Sequence, residues 1–97
     1  MLFAVTIEDK PGMAETRRAV RAAHLAWLEQ HREMLVIAGP IMDAEGNSIG
    51  SVRVVEAPDR AAVDALTEGD PFAKAGCFAR VSINPYRIVY KDGALAE

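Results

Sequence analysis

The segment LFAVTIE, residues 2–8, limits the fold more than any other stretch, because apolar β-formers stand on both of its alternating sets. Leu2 and Ala4 with Thr6 form one set, and Phe3, Val5 and Ile7 form the other. Period-two geometry sends the two sets to opposite faces of a sheet, so such a strand needs cover on both sides. MLVIAGPIMD, residues 34–43, repeats the demand with a nearly unbroken apolar run. Helices from the same chain can cover one face only. The free face of a four-stranded sheet offers roughly 600–800 Å² per partner, the size of a stable interface and more than a soluble monomer usually exposes as one apolar patch. The pattern therefore predicts a homodimer packed sheet to sheet, tempered by the polar strand residues Thr6, Ser51, Arg53 and Ser82.

The other elements follow from changes of period. After the turn-like DKPG, apolar and ring residues recur at spacings of three and four: Val20, His24, Trp27, Leu28 and His31, with Arg17, Arg18, Arg21, Glu29 and Gln30 mostly between them. This spacing predicts an amphipathic helix from Met13 to about Arg32. Residues 34–43 and SIGSVRVVEA (48–57) read as a strand pair joined by the loop AEGN. Pro58 and Asp59 open a short helix carrying Val63 and Leu66, with Gly69 placed to stop it. CFARVSINPYRIVYK (77–91) reads as a last strand with a bulge or bend at Pro85, and DGALAE as a loose tail. The order β-α-β-β-α-β is that of a ferredoxin-like α+β fold with an antiparallel sheet and both helices on one face. Without a repeat, linker or composition shift, residues 1–97 are expected to form a single domain.

Charge and cysteine usage narrow the function. Eleven basic against fourteen acidic residues give a net charge of −3, and the cations are scattered, so no basic stripe is offered to nucleic acid. No apolar run approaches the roughly eighteen residues that cross a bilayer, so no membrane partner is expected. A single cysteine, Cys77, makes no internal disulfide and the N-terminus has no leader pattern, which together point to a cytoplasmic protein.

Two side chains stand out for chemistry. His24 lies four residues after Val20 and three before Trp27, on or beside the stripe that turns toward the sheet. Asp70 precedes Pro71 and Phe72 in GDPFAKAG, where a carboxylate sits directly against apolar residues. Both have plain structural readings: a satisfied core histidine, and an Asp-Pro pair capping a short helical turn through Phe72 and Lys74. A cap uses only part of a carboxylate's acceptor capacity, so Asp70 can also accept from an imidazole. A nucleophilic mechanism has only Ser51 and Cys77 to offer, neither in an activating motif. A two-histidine metal site fails on spacing, because seven residues at about 1.5 Å each part His24 from His31 by about 10 Å.

HLAWLE (24–29), AGP (38–40), GSVRVVEA (50–57), DPFAKAGCF (70–78) and NPYRIV (84–89), in that order and with those separations, resemble the YCII family of small bacterial proteins, also called YciI-like or YCII-related. The resemblance covers nearly the whole chain, with Tyr86 where many members carry tryptophan. It implies a dimeric α/β barrel built on a ferredoxin-like fold, and it implies that His24 and Asp70 are a catalytic pair. Most of that family has no assigned reaction. Related barrels of a wider superfamily include haem enzymes with a histidine ligand, but no cofactor and no metal are expected here.

The pair has a clear physical use. A carboxylate bonded to one ring nitrogen fixes the imidazole tautomer and leaves the other nitrogen facing the pocket as an acid or base. Gly39, Pro40, Gly50 and Gly76 leave room for a small molecule, Phe72 supplies an apolar wall, and Ser51 and Arg87 are candidate substrate contacts. Two functions remain open. One is a small-molecule enzyme of isomerase, lyase or dehalogenase type using the His24–Asp70 pair for general acid-base chemistry. The other is a non-catalytic dimeric ligand-binding or accessory protein in which the pair only stabilises the pocket.

Overall fold

In the computed structural model, which describes residues 1–96, the chain folds as β1 (Leu2–Asp9), α1 (Ala14–Gln30), β2 (Leu35–Met42), β3 (Ser48–Glu56), α2 (Arg60–Glu68), α3 (Pro71–Lys74), β4 (Phe78–Tyr86), β5 (Tyr90–Lys91) and β6 (Ala94–Leu95). The first four long strands form one antiparallel sheet in the order β2-β3-β1-β4. The strands joined through helices, β1 with β2 and β3 with β4, are therefore never neighbours, which is the split β-α-β connection of the ferredoxin-like arrangement.

The two alternating sets of β1 separate cleanly. Phe3, Val5 and Ile7 are buried under the helices, where they meet Val55, Ile83, Trp27, Val63 and Leu66. In register with them, Ser51, Arg53 and Val55 of β3 and Val81, Ile83 and Pro85 of β4 share the covered side. On the open side lie Leu2, Ala4 and Thr6 with their partners Val52 and Val54 of β3 and Tyr86 of β4. Val52, Ile37, Ile41 and Tyr86 are exposed there, leaving an apolar face without cover from this chain. Ser51 and Arg53, expected to make the free face more polar, point to the other side and are buried; Thr6 and Ser82 remain on the open side.

Both prolines within strands occupy the two edges of the sheet, Pro40 in β2 and Pro85 in β4. An edge strand has one row of unpaired backbone groups, so a missing N–H costs no ladder bond there. This is why the bend expected at Pro85 is absent: β4 pairs with β1 without interruption from Arg80 to Tyr86, and the register shifts instead between Glu8 and Asp9. The last strand also ends earlier than expected. Tyr90–Lys91 belongs to a separate hairpin with Ala94–Leu95, so part of the supposed loose tail is paired, and Glu97 lies outside the described residues.

Local chemistry sets the helix ends. Asp59 caps α2 by accepting from the Ala62 N–H at 2.9 Å. Gly69 follows α2 with φ −79°, an ordinary right-handed conformation, so its freedom at positive φ is not what stops the helix. Pro71 does this, because the residue before a proline is pushed out of the helical region, and Asp70 is extended at ψ 127°. That forced turn aims the Asp70 side chain into the protein.

Candidate functional site

Asp70 is the centre of the site and has no solvent exposure. One oxygen, Oδ1, caps α3 by accepting from the Phe72 N–H at 2.9 Å and lies 2.8 Å from His24 Nδ1. The other, Oδ2, accepts from Arg53 Nη2 at 2.5 Å. Burial pushes the carboxyl pKa up, but the bond to His24, the Arg53 charge and the Phe72 N–H together outweigh it and hold Asp70 below its ordinary value. Asp70 is thus ionised at neutral pH and acts only as an acceptor. His24 Nδ1 must then carry the proton in this bond, which makes Nε2 the ring nitrogen available for proton exchange.

Helix α1 presents the imidazole from one side. Its ring stacks on Phe72 with centroids 3.9 Å apart and planes at 16°, and on Trp27 at 5.7 Å and 27°. A guanidinium extends each end of this aromatic group: Arg17 stands 4.4 Å from the Phe72 centroid and Arg53 stands 5.1 Å from that of Trp27. Arg17 is itself fixed by Asp9, with Nε donating to Oδ2 at 2.6 Å and Nη2 to Oδ1 at 3.2 Å. The same Nη2 reaches the Gly50 carbonyl at 3.2 Å and Ser51 Oγ at 3.0 Å, tying α1 to β3. The histidine is therefore held by a stack and a hydrogen bond, both on buried supports.

Beside it opens a cavity of about 370 Å³. Its polar wall includes His24, Ser51 and four arginines, Arg17, Arg18, Arg21 and Arg53, and its apolar wall includes Leu25, Leu28, Pro40 and Phe72. Among the described residues no carboxylate lines it. The arrangement sets a fixed imidazole at the wall of a cavity lined by guanidinium groups, a setting in which an imidazole can exchange a proton with a bound molecule.

Of the residues singled out in the sequence, His24, Asp70, Ser51 and Phe72 meet here, with Asp70 behind the wall rather than on it. Arg87 does not join them; it is exposed just past the end of β4 and does not line the cavity. Ser51 is bonded to Arg17 rather than to His24. Cys77 is fully buried, and burial together with the nearby Asp9 carboxylate pushes its thiol pKa up, which disfavours the thiolate a nucleophile needs. Sequence reasoning passed over Arg17, Arg53 and Asp9. Arg17 stands two turns, seven residues, before His24, so the helical period already places it on the same face. Arg53 has the strand parity of Ser51 and Val55, the buried side of β3.

The model of the YCII-related domain matches residues 1–87. The chain belongs to the YCII-related family. It is 34% identical to protein YciI of Escherichia coli O6:H1 over 98 aligned residues, covering 93% of this chain and all of that protein. Among solved structures, it is similar to the 5-chloro-2-hydroxyhydroquinone dehydrochlorinase of Burkholderia phenoliruptrix in complex with 2,5-dihydroxybenzoquinone. That pair is 34% identical, with a TM-score of 0.84 over 90% of this chain and 94% of the other. An antibiotic biosynthesis monooxygenase, 17% identical with a TM-score of 0.51 over 90% of this chain and 99% of the other, shares the fold alone. No helix among the described residues is long and apolar enough to cross a membrane.

Proposed function

We propose that this YCII-related protein is a homodimeric acid-base lyase that removes hydrogen halide from a small hydroxylated aromatic ring, with His24 moving the proton and Asp70 positioning His24. The observation that carries the reading is the fixed imidazole: Nδ1 is bound to an ionised, fully buried Asp70, and the ring stands at the wall of a cavity of ring size. The likeness to a dehydrochlorinase at 34% identity and TM-score 0.84 supports this class of reaction over isomerisation.

The chemistry balances without a redox partner. His24 Nε2 takes the proton of a phenolic O–H, and the electron pair moves into the ring so that the carbon bearing the halogen accepts a proton and becomes tetrahedral. Loss of a second phenolic proton then expels halide and leaves the hydroxyquinone. Substrate minus one hydrogen halide equals product, and no electrons are gained or lost overall. The imidazole can serve both as acceptor and as donor in this sequence, since Asp70 keeps the Nδ1 proton in place while Nε2 gains and then gives up its own.

The apolar open face formed by Ile37, Ile41, Val52 and Tyr86 supports assembly with a second copy, sheet against sheet, into a dimeric barrel. The cavity lies on the opposite, helix-covered side of the sheet.

The test is anaerobic incubation with 5-chloro-2-hydroxyhydroquinone, following chloride with a selective electrode and quinone by absorbance. One chloride per ring is expected from the parent, and a fall of about 10²–10⁴-fold from His24→Asn, the range for loss of a general acid-base group. Equal turnover by a folded His24→Asn variant would overturn the site. Saturable binding without chloride release would place the protein with ligand-binding modules instead.

A further inference from the structure

The four arginines around the cavity are not equivalent. Arg17 is neutralised by Asp9, Arg53 by Asp70, and Arg18 by Glu15 at 3.0 Å. Arg21 makes no hydrogen bond or ion pair with any described residue, yet it lines the cavity three residues before His24 on the same face of α1. Four guanidinium charges thus face three carboxylates, leaving one positive charge uncompensated when His24 is neutral.

Donor capacity is also left over on the β3 side. Ser51 Oγ accepts from Arg17 Nη2, so its own proton is uncommitted. Arg53 Nη1 is buried without any hydrogen-bond partner, although its sister Nη2 is bound to Asp70. Buried donors are rarely left so, and here they belong to residues that line one cavity.

We propose that the cavity holds its bound ligand as a planar oxyanion, a phenolate or enolate, with the charged oxygen held by Arg21. This inference deepens the lyase reading and rests on it for the choice of ring, but the charge match can be measured without turnover. In chemical terms, the surplus positive charge beside His24 favours the ionised form of a bound phenol, so the first deprotonation of the proposed sequence is assisted by binding. The apolar wall of Leu25, Leu28, Pro40 and Phe72 then takes the ring face, which every such oxyanion presents.

The experiment is equilibrium binding of 2,5-dihydroxybenzoquinone, a ring with ionisable enol oxygens and no leaving group, to the parent, Arg21→Gln and Arg21→Lys by calorimetry. Hydroquinone, the related ring that is uncharged near neutral pH, serves as the comparison. Arg21→Gln should weaken the quinone about tenfold, the scale of one charge-assisted bond, and flatten the dependence of affinity on salt. Arg21→Lys should recover part of the loss, since the charge remains but the planar fork does not. Hydroquinone should bind the parent and Arg21→Gln alike. Unchanged quinone affinity in Arg21→Gln, equal weakening of hydroquinone, or no quinone binding by the parent would each overturn the inference. Quinone binding that depends on Arg21 in a protein that releases no chloride would keep the oxyanion site and remove the lyase reading.

Discussion

Asp70→Asn isolates the charge at the centre of the site. Asparagine keeps the side-chain shape and is as good a helix cap as aspartate, so α3 retains its N-terminal bond to Phe72 N–H. What disappears is the counter-charge of Arg53, whose side chain is 2% exposed and whose Nη2 sits 2.5 Å from Oδ2. Removing one partner of a buried ion pair costs about 3–5 kcal/mol, because the other charge stays out of water without compensation. The amide has one acceptor oxygen where the carboxylate has two, so with that oxygen kept on the Phe72 N–H and His24 its NH₂ faces Arg53, donor against donor. A cost near 4 kcal/mol is a large share of the roughly 5–15 kcal/mol that holds a domain folded. Urea unfolding at one fixed protein concentration measures it, since assembly adds to apparent stability. With m of about 1–3 kcal/mol/M, the midpoint should fall by more than about 1 M while m stays constant. Arg53→Met combined with Asp70→Asn should cost less than the sum of the single changes, since the two groups share one interaction. An Asp70→Asn variant within about 1 kcal/mol of the parent, or strict additivity in the double variant, would refute this account of the pair.

Other consequences can be measured separately. Asp70 has a native pKa held below its ordinary value, so its contribution to stability is complete above the ordinary value of 3.8 and is lost as pH falls through the lower native one; Asp70→Asn should flatten the acid limb of a stability-against-pH curve in that window, and an unchanged limb would contradict the assigned charge state. Gly50 pairs with Glu8 where a Cβ would meet the Ile7 carbonyl oxygen, an impossible approach for any side chain. Gly50→Ala should therefore lower stability by about 1–3 kcal/mol through backbone displacement between β1 and β3, readable as a drop in Tm. Val52→Asp places a charge at the centre of the apolar open face and should shift sedimentation toward the 10.5 kDa monomer, whereas an unchanged dimer would move the interface elsewhere.

The fold was legible where one period dominated. The helix expected over 13–32 spans Ala14–Gln30, and the strand pair expected over 34–43 and 48–57 spans Leu35–Met42 and Ser48–Glu56. Pro85 misled because a proline disrupts a strand only where its N–H is needed, and whether a strand is at an edge is a property of the whole sheet. The His24–Asp70 pairing was implied by the family resemblance, while helical spacing and the capping dipeptide only left room for the bond the structure shows. Arg17 and Arg53 were harder to find because charged residues are presumed solvated. Each is buried only because a carboxylate from a different element, Asp9 or Asp70, arrives to meet it. Period alone gives the face of an element, and the partner that makes burial of a charge tolerable comes from tertiary structure.

These buried pairs explain why a histidine on an otherwise ordinary amphipathic helix can be held for chemistry. A ring fixed only by packing would be free to exchange tautomers, and one fixed only by an exposed carboxylate would lose its partner to water. Here Asp70 is turned inward by Pro71, kept ionised by Arg53 and the Phe72 N–H, and shielded by the Phe72 ring that also stacks on the imidazole. One four-residue helix and the Asp70 that caps it thus supply the wall and the orientation of the imidazole together. Arg17 and Arg53 make burial of Asp9 and Asp70 possible and are neutralised by them, so the sign of the cavity is left to Arg21. The paired charges stabilise the frame around His24, and the proposed preference for a negatively charged ligand rests on the unpaired Arg21 beside it.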